Sequence, residues 1–278
     1  MPLFFVVGAA SQYVGAALGV FLFETTDPMA VAWLRCATAA VALVLWRRPW
    51  RVQWTRRGLA VAAGFGVVTV AMNVAFFESI ARIPLGTAVA IEFIGPVAVA
   101  TMGSRRPRDL LAVVLVAGGV ALLAGIQANV DPLGVGFALL AAALWAGYIL
   151  LGKRVADEGA GLDSLTVGMA SAAVLLAAPL LAHQVISDLS TFTEPQTWLL
   201  AVGVGVLSTA IPYGLDQVVL TAVGRARFAL LLALLPATAA VIGALMLAQQ
   251  PTLAEVAGIS LVMAALVVSA RAPQPVSG

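Results

Sequence analysis

Glu92 stands at the centre of the apolar run from Ile83 to Gly103 and is followed four residues later by Pro96. A carboxylate in the middle of a bilayer-length segment is costly to bury, so it faces a cavity or a partner and marks a substrate or ion path. Pro96 has no N–H to give to the carbonyl four residues back, which is that of Glu92 itself. One helical turn therefore offers a carboxylate and a freed carbonyl together. A structural tie of Glu92 to Arg35 or to a backbone group is the plainer alternative.

A second acid, Asp216, shares a helical face with Tyr213 and Gln217 through three- and four-residue spacing. Just before it, Pro212 frees the carbonyl of Ser208. Asn73, with Thr69 and Phe77 four residues away on either side, presents a matching polar and aromatic face. Trp145 and Tyr148, three apart, and Gln12 with Tyr13 could supply aromatic walls. Such a set would enclose a small amphipathic solute. Asp216 could instead snorkel to water, Glu78 is expected to be solvated at the outer rim, and Arg35 either neutralises an acid or contacts substrate.

These residues must be held by membrane helices. Of 278 residues, 62% are hydrophobic and only 10% charged, with a mean hydropathy of +1.04, a composition foreign to soluble domains. A helix needs about 20 mainly apolar residues to cross the hydrocarbon layer. Ten such runs follow one another: Leu3 to Phe23, Pro28 to Trp46, Gly58 to Ile80, Ile83 to Gly103, Leu110 to Gln127, Leu133 to Gly152, Leu165 to Val185, Trp198 to Val223, Phe228 to Ala248 and Leu253 to Ala270. Every Lys and Arg except Arg35 and Arg82 falls in the connections on one side. Basic loops stay cytoplasmic, so a multi-pass cytoplasmic (inner) membrane protein with both termini inside is predicted. The net charge of +2 reflects that rim and makes no case for nucleic acid.

Internal repetition divides the chain. Asn73 and Tyr213 lie at the same separation as Pro96 and Pro236, Tyr13 matches Tyr148, and Asp109 and Glu255 each open the last span of a half. Residues 1–130 and 131–278 are thus predicted to be two five-helix repeats, inverted because five is odd. Inverted repeats with helices interrupted near the midplane are the build of secondary transporters. The acids break the symmetry: Glu92 corresponds to Leu232 and Asp216 to Phe76. Gly15 and Gly19 are read as a close approach of two helices within one subunit.

Other chemistry finds little support. Cys36 is the only cysteine and His183 the only histidine, so neither an internal disulfide, a thiolate metal cluster nor a Ser/His hydrolase is expected. The stretch Gly147 to Lys153 approaches a phosphate-binding loop but lacks the following Ser or Thr and lies in a bulky apolar helix. No cofactor and no enzymatic activity are predicted.

The stretches N73-V-A-F-F-E-S-I-A-R-I-P-L-G-T-A-V-A-I-E-F-I-G-P96, S104-R-R-P-R-D109, L144-W-A-G-Y-I-L150 and L207-S-T-A-I-P-Y213 closely resemble the homoserine/threonine exporter group of the EamA branch of the drug/metabolite transporter superfamily. The resemblance implies a ten-helix inner-membrane exporter of amino acids or related metabolites, built from two inverted five-helix halves around a central cavity. Proton exchange at a buried acid is the natural energy source for such a carrier. The resemblance places Glu92, Asn73, Tyr148, Tyr213 and Asp216 at positions where the family has a like residue. The chain departs from it at Leu235, where an acid is usual before the second proline, and at Gln249 and Gln250 near the end of span nine. A carrier for a drug or nucleotide-sugar, or a passive channel, is the alternative.

Overall fold

The computed structural model describes residues 2–102, 106–125, 131–157, 161–212, 215, 219, 222–223, 228 and 230–270. Among these every regular element is helical. In chain order they are α1 (Pro2–Leu22), α2 (Pro28–Arg47), α3 (Arg56–Ile80), α4 (Leu85–Glu92), α5 (Ile94–Thr101), α6 (Pro107–Gly125), α7 (Pro132–Asp157), α8 (Gly161–Leu175), α9 (Ala177–Ser187) and α10 (Pro195–Gly205). A π-helical segment (Val206–Ala210), α11 (Leu235–Leu247) and α12 (Leu253–Ala270) follow. Six helices among the described residues are long and apolar enough to cross a membrane, or seven if the bent pair α8–α9 is one span.

Local chemistry starts the helices. Asp27 caps α2, its carboxylate accepting from the Met29 amide at 2.9 Å, with Pro28 at the first position. Thr55 caps α3 through the Gly58 amide at 3.0 Å. Thr252 and Glu255 form a reciprocal capping box on α12, the Glu255 carboxylate accepting from the Thr252 amide at 2.7 Å. Large apolar side chains such as Val174, Ile186, Leu199 and Leu245 stand exposed on the outside, as lipid-facing positions require.

Prolines set the interruptions. Between α4 and α5 the axis breaks at Phe93, three residues before Pro96. Ahead of α11 the chain tightens, Leu234 donating to the Leu231 carbonyl at 2.9 Å, and Pro236 sits in the first turn of the new helix. The two prolines thus stand just past a break, where the sequence placed them. Span seven, read as continuous from Leu165 to Val185, is instead bent by 44° between α8 and α9. Pro179 explains it: its ring nitrogen leaves the Leu175 carbonyl without a helical partner.

Close packing relies on small residues, as expected where lipid supplies no hydrophobic drive between helices. A Cβ on Gly66 of α3 would lie 1.9 Å from the Gly168 carbonyl oxygen of α8. One on Gly15 would lie 2.7 Å from the Ser208 amide, and one on Gly19 2.5 Å from the Phe77 ring, so the pattern on α1 serves contacts within one subunit. Helix α3 packs on α7 and α8, α6 on α12, α4 on α11 and α7, and α1 on α10, the π segment and α11.

Glu78 corrects one expectation. It is 3% exposed rather than solvated, because Arg82 one turn later pairs with its carboxylate and donates to its carbonyl at 2.6 Å. Arg82 also reaches Asp131 at 3.9 Å and lies 5.1 Å from the Phe137 ring centroid. His183 is mostly exposed and pairs through Nδ1 with Asp27 at 2.7 Å.

The α3–α8 contact predicts that Gly66→Val destabilises the bundle by at least about 1–3 kcal/mol, the usual cost of overpacking. Gly64, whose Cβ would meet nothing within 4 Å, tolerates alanine. Thermal melts of the purified protein in detergent should show a clear loss for the first variant and none for the second.

Candidate functional site

The broken helices, α1, α2, α3 and α7 enclose a hollow of about 170 Å³. Its wall includes Gln12 and Tyr13 of α1, Arg35 and Cys36 of α2, Thr69, Met72, Asn73 and Phe76 of α3, Glu92 of α4, Trp145 and Tyr148 of α7, and Ser208 and Thr209 of the π segment. Met169, Pro212, Leu232 and Leu235 complete it. Of the residues selected from sequence, Gln12, Asn73, Glu92, Trp145, Tyr148 and Pro212 are therefore brought together. Pro96 and Pro236 act at one remove. Their missing N–H groups leave the carbonyls of Glu92 and Leu232 without helical partners, and both of those residues line the hollow. Tyr213, Asp216 and Gln217 lie outside the described residues.

Arg35 organises one wall. Its Nη2 donates to the Ser208 carbonyl at 3.2 Å, the carbonyl to which Pro212, four residues on, has no N–H to give. On the neighbouring turn, Ser11 of α1 donates to the Leu207 carbonyl at 2.8 Å, and Thr38 of α2 reaches the Ala201 carbonyl at 3.0 Å. Side chains from two helices thus satisfy the backbone that the π segment unwinds, a local defect that often marks function. The guanidinium lies 5.5 Å from the centroid of Phe77. Phe77 is therefore buried behind Arg35 and does not join the polar face of Asn73 as its spacing suggested.

Aromatic pairs fix the walls from behind. Phe93, next to Glu92, packs edge-on against Trp145 with centroids 4.8 Å apart, and Phe65 stacks on Tyr148 at 4.8 Å and 20°. Asn73 donates to the Thr69 carbonyl at 2.8 Å, and Thr69 to Phe65 at 2.8 Å. Those donors are engaged within their own helix. The group in the hollow that carries positive charge is Arg35, whose field acts on the Glu92 carboxylate.

Sequence reasoning left Arg35 undecided and did not select Met72, Met169 or Thr209. A signal for Arg35 existed, since it is a basic residue inside a span and Pro212 leaves a carbonyl needing a donor. The two methionines carry no such signal, being apolar residues in apolar helices. Gln249 accepts from the Leu85 amide at 3.0 Å, so a neutral oxygen meets the first turn of α4.

A helical bundle with paired breaks around a small hollow has the build of a membrane transporter. Residues 132–271 match the EamA-like transporter family. The threonine/homoserine exporters RhtA of Salmonella typhimurium strain SL1344 and of Escherichia coli strain K12 are each 35% identical over 262 residues, covering 93% of this chain and 87% of theirs. The uncharacterized transporter YxxF of Bacillus subtilis strain 168 is 24% identical over 272 residues, 92% of this chain and 86% of its own. A crystal structure that covers 96% of this chain and 94% of its own, with a TM-score of 0.58 and 18% identity, shares the fold. The chain belongs to the EamA-like transporter family.

The Arg35 geometry yields a direct expectation. Arg35→Met leaves the Ser208 carbonyl without its side-chain donor and Glu92 without a nearby cation, and a buried acceptor left unmet costs about 1–3 kcal/mol. Melting in detergent should fall sharply for Arg35→Met and less for Arg35→Lys, which keeps the charge but not the fork.

Proposed function

We propose that the protein is a secondary transporter that exports small amino acids of the threonine and homoserine type across the bacterial cytoplasmic membrane by alternating access. The observation that carries this reading is the pair of opposite charges on one small hollow. Glu92 and the carbonyl beside Pro96 suit an ammonium group, while Arg35 suits a carboxylate, bidentate where its geometry allows. Gln12, Asn73 and the Tyr148 hydroxyl offer polar partners for a side-chain hydroxyl. Trp145, Tyr13 and Phe76 cover the apolar part of the solute. The kinship with the RhtA exporters over most of both chains supports the same substrate class.

Size and charge weigh against the alternatives. Drug-sized ligands fill pockets of roughly 300–1,000 Å³, so a hollow of about 170 Å³ favours an amino acid over a nucleotide-sugar, whose phosphates would also want more than one cation. Aromatic amino acids would press harder on the Trp145 and Phe76 walls and are expected to be poorer substrates.

In this reading residues 1–130 and 131–278 are inverted five-helix repeats making ten spans, with both termini cytoplasmic. The helix contacts support it. Exchanging the halves maps the pairs α6 with α12, α4 with α11 and α2 with α8 onto themselves, and α3 with α7 onto α10 with α1. The rocking of one half on the other would have to break bonds at the ends. At the end opposite the arginine-rich loop, Thr87 of α4 donates to Glu255 of α12 at 3.1 Å, beside the bond from the Leu85 amide to Gln249. Glu92 is the group placed to exchange a proton for the departing ammonium, the usual role of an acid on such a path.

In proteoliposomes loaded with labelled threonine, homoserine or phenylalanine, an imposed pH gradient should drive saturable flux of the first two. Glu92→Gln should lower it by about tenfold to a hundredfold, matching the 1.5–3 kcal/mol of a charge-assisted hydrogen bond. Undiminished flux in that variant would remove Glu92 from the site, and non-saturating flux insensitive to the gradient would favour a channel. A Thr87→Cys, Glu255→Cys pair should stop transport on oxidation and recover with reductant; continued transport by the cross-linked protein would contradict rocking at that end.

A further inference from the structure

The connection between α2 and α3 carries Arg47, Arg48, Arg51, Arg56 and Arg57 within eleven positions and no acidic residue. All five are exposed. Arg47 pairs with Asp163 of α8, its Nε 3.0 Å and Nη2 3.3 Å from the two carboxylate oxygens. Among the described residues no acid pairs with the side chains of Arg48, Arg51, Arg56 or Arg57. Two of these, Arg56 and Arg57, stand in the first turn of α3, where the helix dipole favours anions and disfavours cations. Their placement works against the helix, a cost that an external anion would relieve.

The loop that presents them is built, not slack. Arg48 ends α2 in the left-handed region at φ 53°, a conformation unfavourable for a residue with a Cβ. Pro49 is buried, a single 3₁₀ turn runs over Pro49–Arg51, and the Trp54 indole N–H donates to the Pro49 carbonyl at 3.0 Å. The result holds Trp46 and Trp50 outward, 56% and 64% exposed, alternating with the guanidiniums. Helix α2 has just ended and α3 is about to begin, so the surface lies at the level where hydrocarbon meets headgroups. Indoles favour that level, and clustered arginines there attract anionic lipids.

We propose that the Trp46–Arg57 connection is a binding surface for anionic phospholipid headgroups. The phosphodiester is held by Arg48, Arg51, Arg56 and Arg57, while Trp46 and Trp50 sit at the glycerol level of the same lipid layer. Because the loop also packs on α8 and Arg47 ties it to Asp163, a lipid bound there braces the two halves of the chain at one membrane face. This assignment rests on the helices being membrane spans and not on which solute is carried.

Native mass spectrometry of the detergent-purified protein tests it by titration with phosphatidylglycerol, phosphatidylcholine and inorganic phosphate. Phosphatidylglycerol should bind preferentially and weaken as salt is raised. The quadruple variant R48Q/R51Q/R56Q/R57Q, with Arg47 kept, should lose phosphatidylglycerol affinity by roughly tenfold or more, while the corresponding lysine variant keeps most of it. Trp50→Ala should weaken lipid binding and leave the quadruple variant's residual binding unchanged. Melting curves of both quadruple variants establish that they are folded; should the glutamine variant unfold, the pairwise variants R48Q/R51Q and R56Q/R57Q carry the same expectation at smaller size. Equal binding of phosphatidylcholine, an unchanged glutamine variant, or full displacement of the lipid by millimolar phosphate would overturn the proposal.

Discussion

Two unlike charges share one enclosed space in a region that is otherwise apolar. Glu92 and Arg35 face the same hollow, and each would be expensive to leave there alone. Much of the surrounding architecture holds the two at the wall of the same hollow. Pro96 interrupts the helix beside the carboxylate. Pro212 opens the π segment whose Ser208 carbonyl takes one arm of the guanidinium. Gly15 lets α1 lie against that segment so closely that no Cβ fits, and Ser11 closes the remaining carbonyl. Arg35 is thereby anchored to backbone at the wall of the hollow.

That arrangement connects the sequence to transport through a single physical requirement. A zwitterion brings its own opposite charges, so a hollow lined by a carboxylate and a guanidinium offers a counter-charge for each end of it. The rigid aromatic pairs Phe93–Trp145 and Phe65–Tyr148 hold the apolar wall, and the breaks at Phe93 and Leu234 supply positions where two otherwise stiff helices can change angle. Binding and rocking would then use the same few turns of backbone.

Much of this was legible in the residues. A charge and a proline four apart in an apolar run led to Glu92, and spacing on one helical face led to Asn73, Trp145 and Tyr148; the hollow gathers them with Gln12 and Pro212. Glu78 reads as solvated because depth along a span says nothing about the neighbour one turn on, although Arg82 stands at the four-residue spacing that favours an ion pair. The bend at Leu176 has its signal in Pro179, which the uniformly apolar run around it masks. The π segment carries no signature of its own in sequence, since it arises from tertiary donors on α1 and α2 meeting a proline-opened turn.

The account puts the ammonium group of the solute against Glu92 in the hollow, and binding by the purified protein tests that most directly. Calorimetric titration in detergent should show saturable binding of threonine and binding of N-acetylthreonine, which lacks the ammonium, weaker by about tenfold or more, with the preference lost in Glu92→Gln. Equal affinity for the two solutes in the unmodified protein would place the ammonium elsewhere and contradict the account.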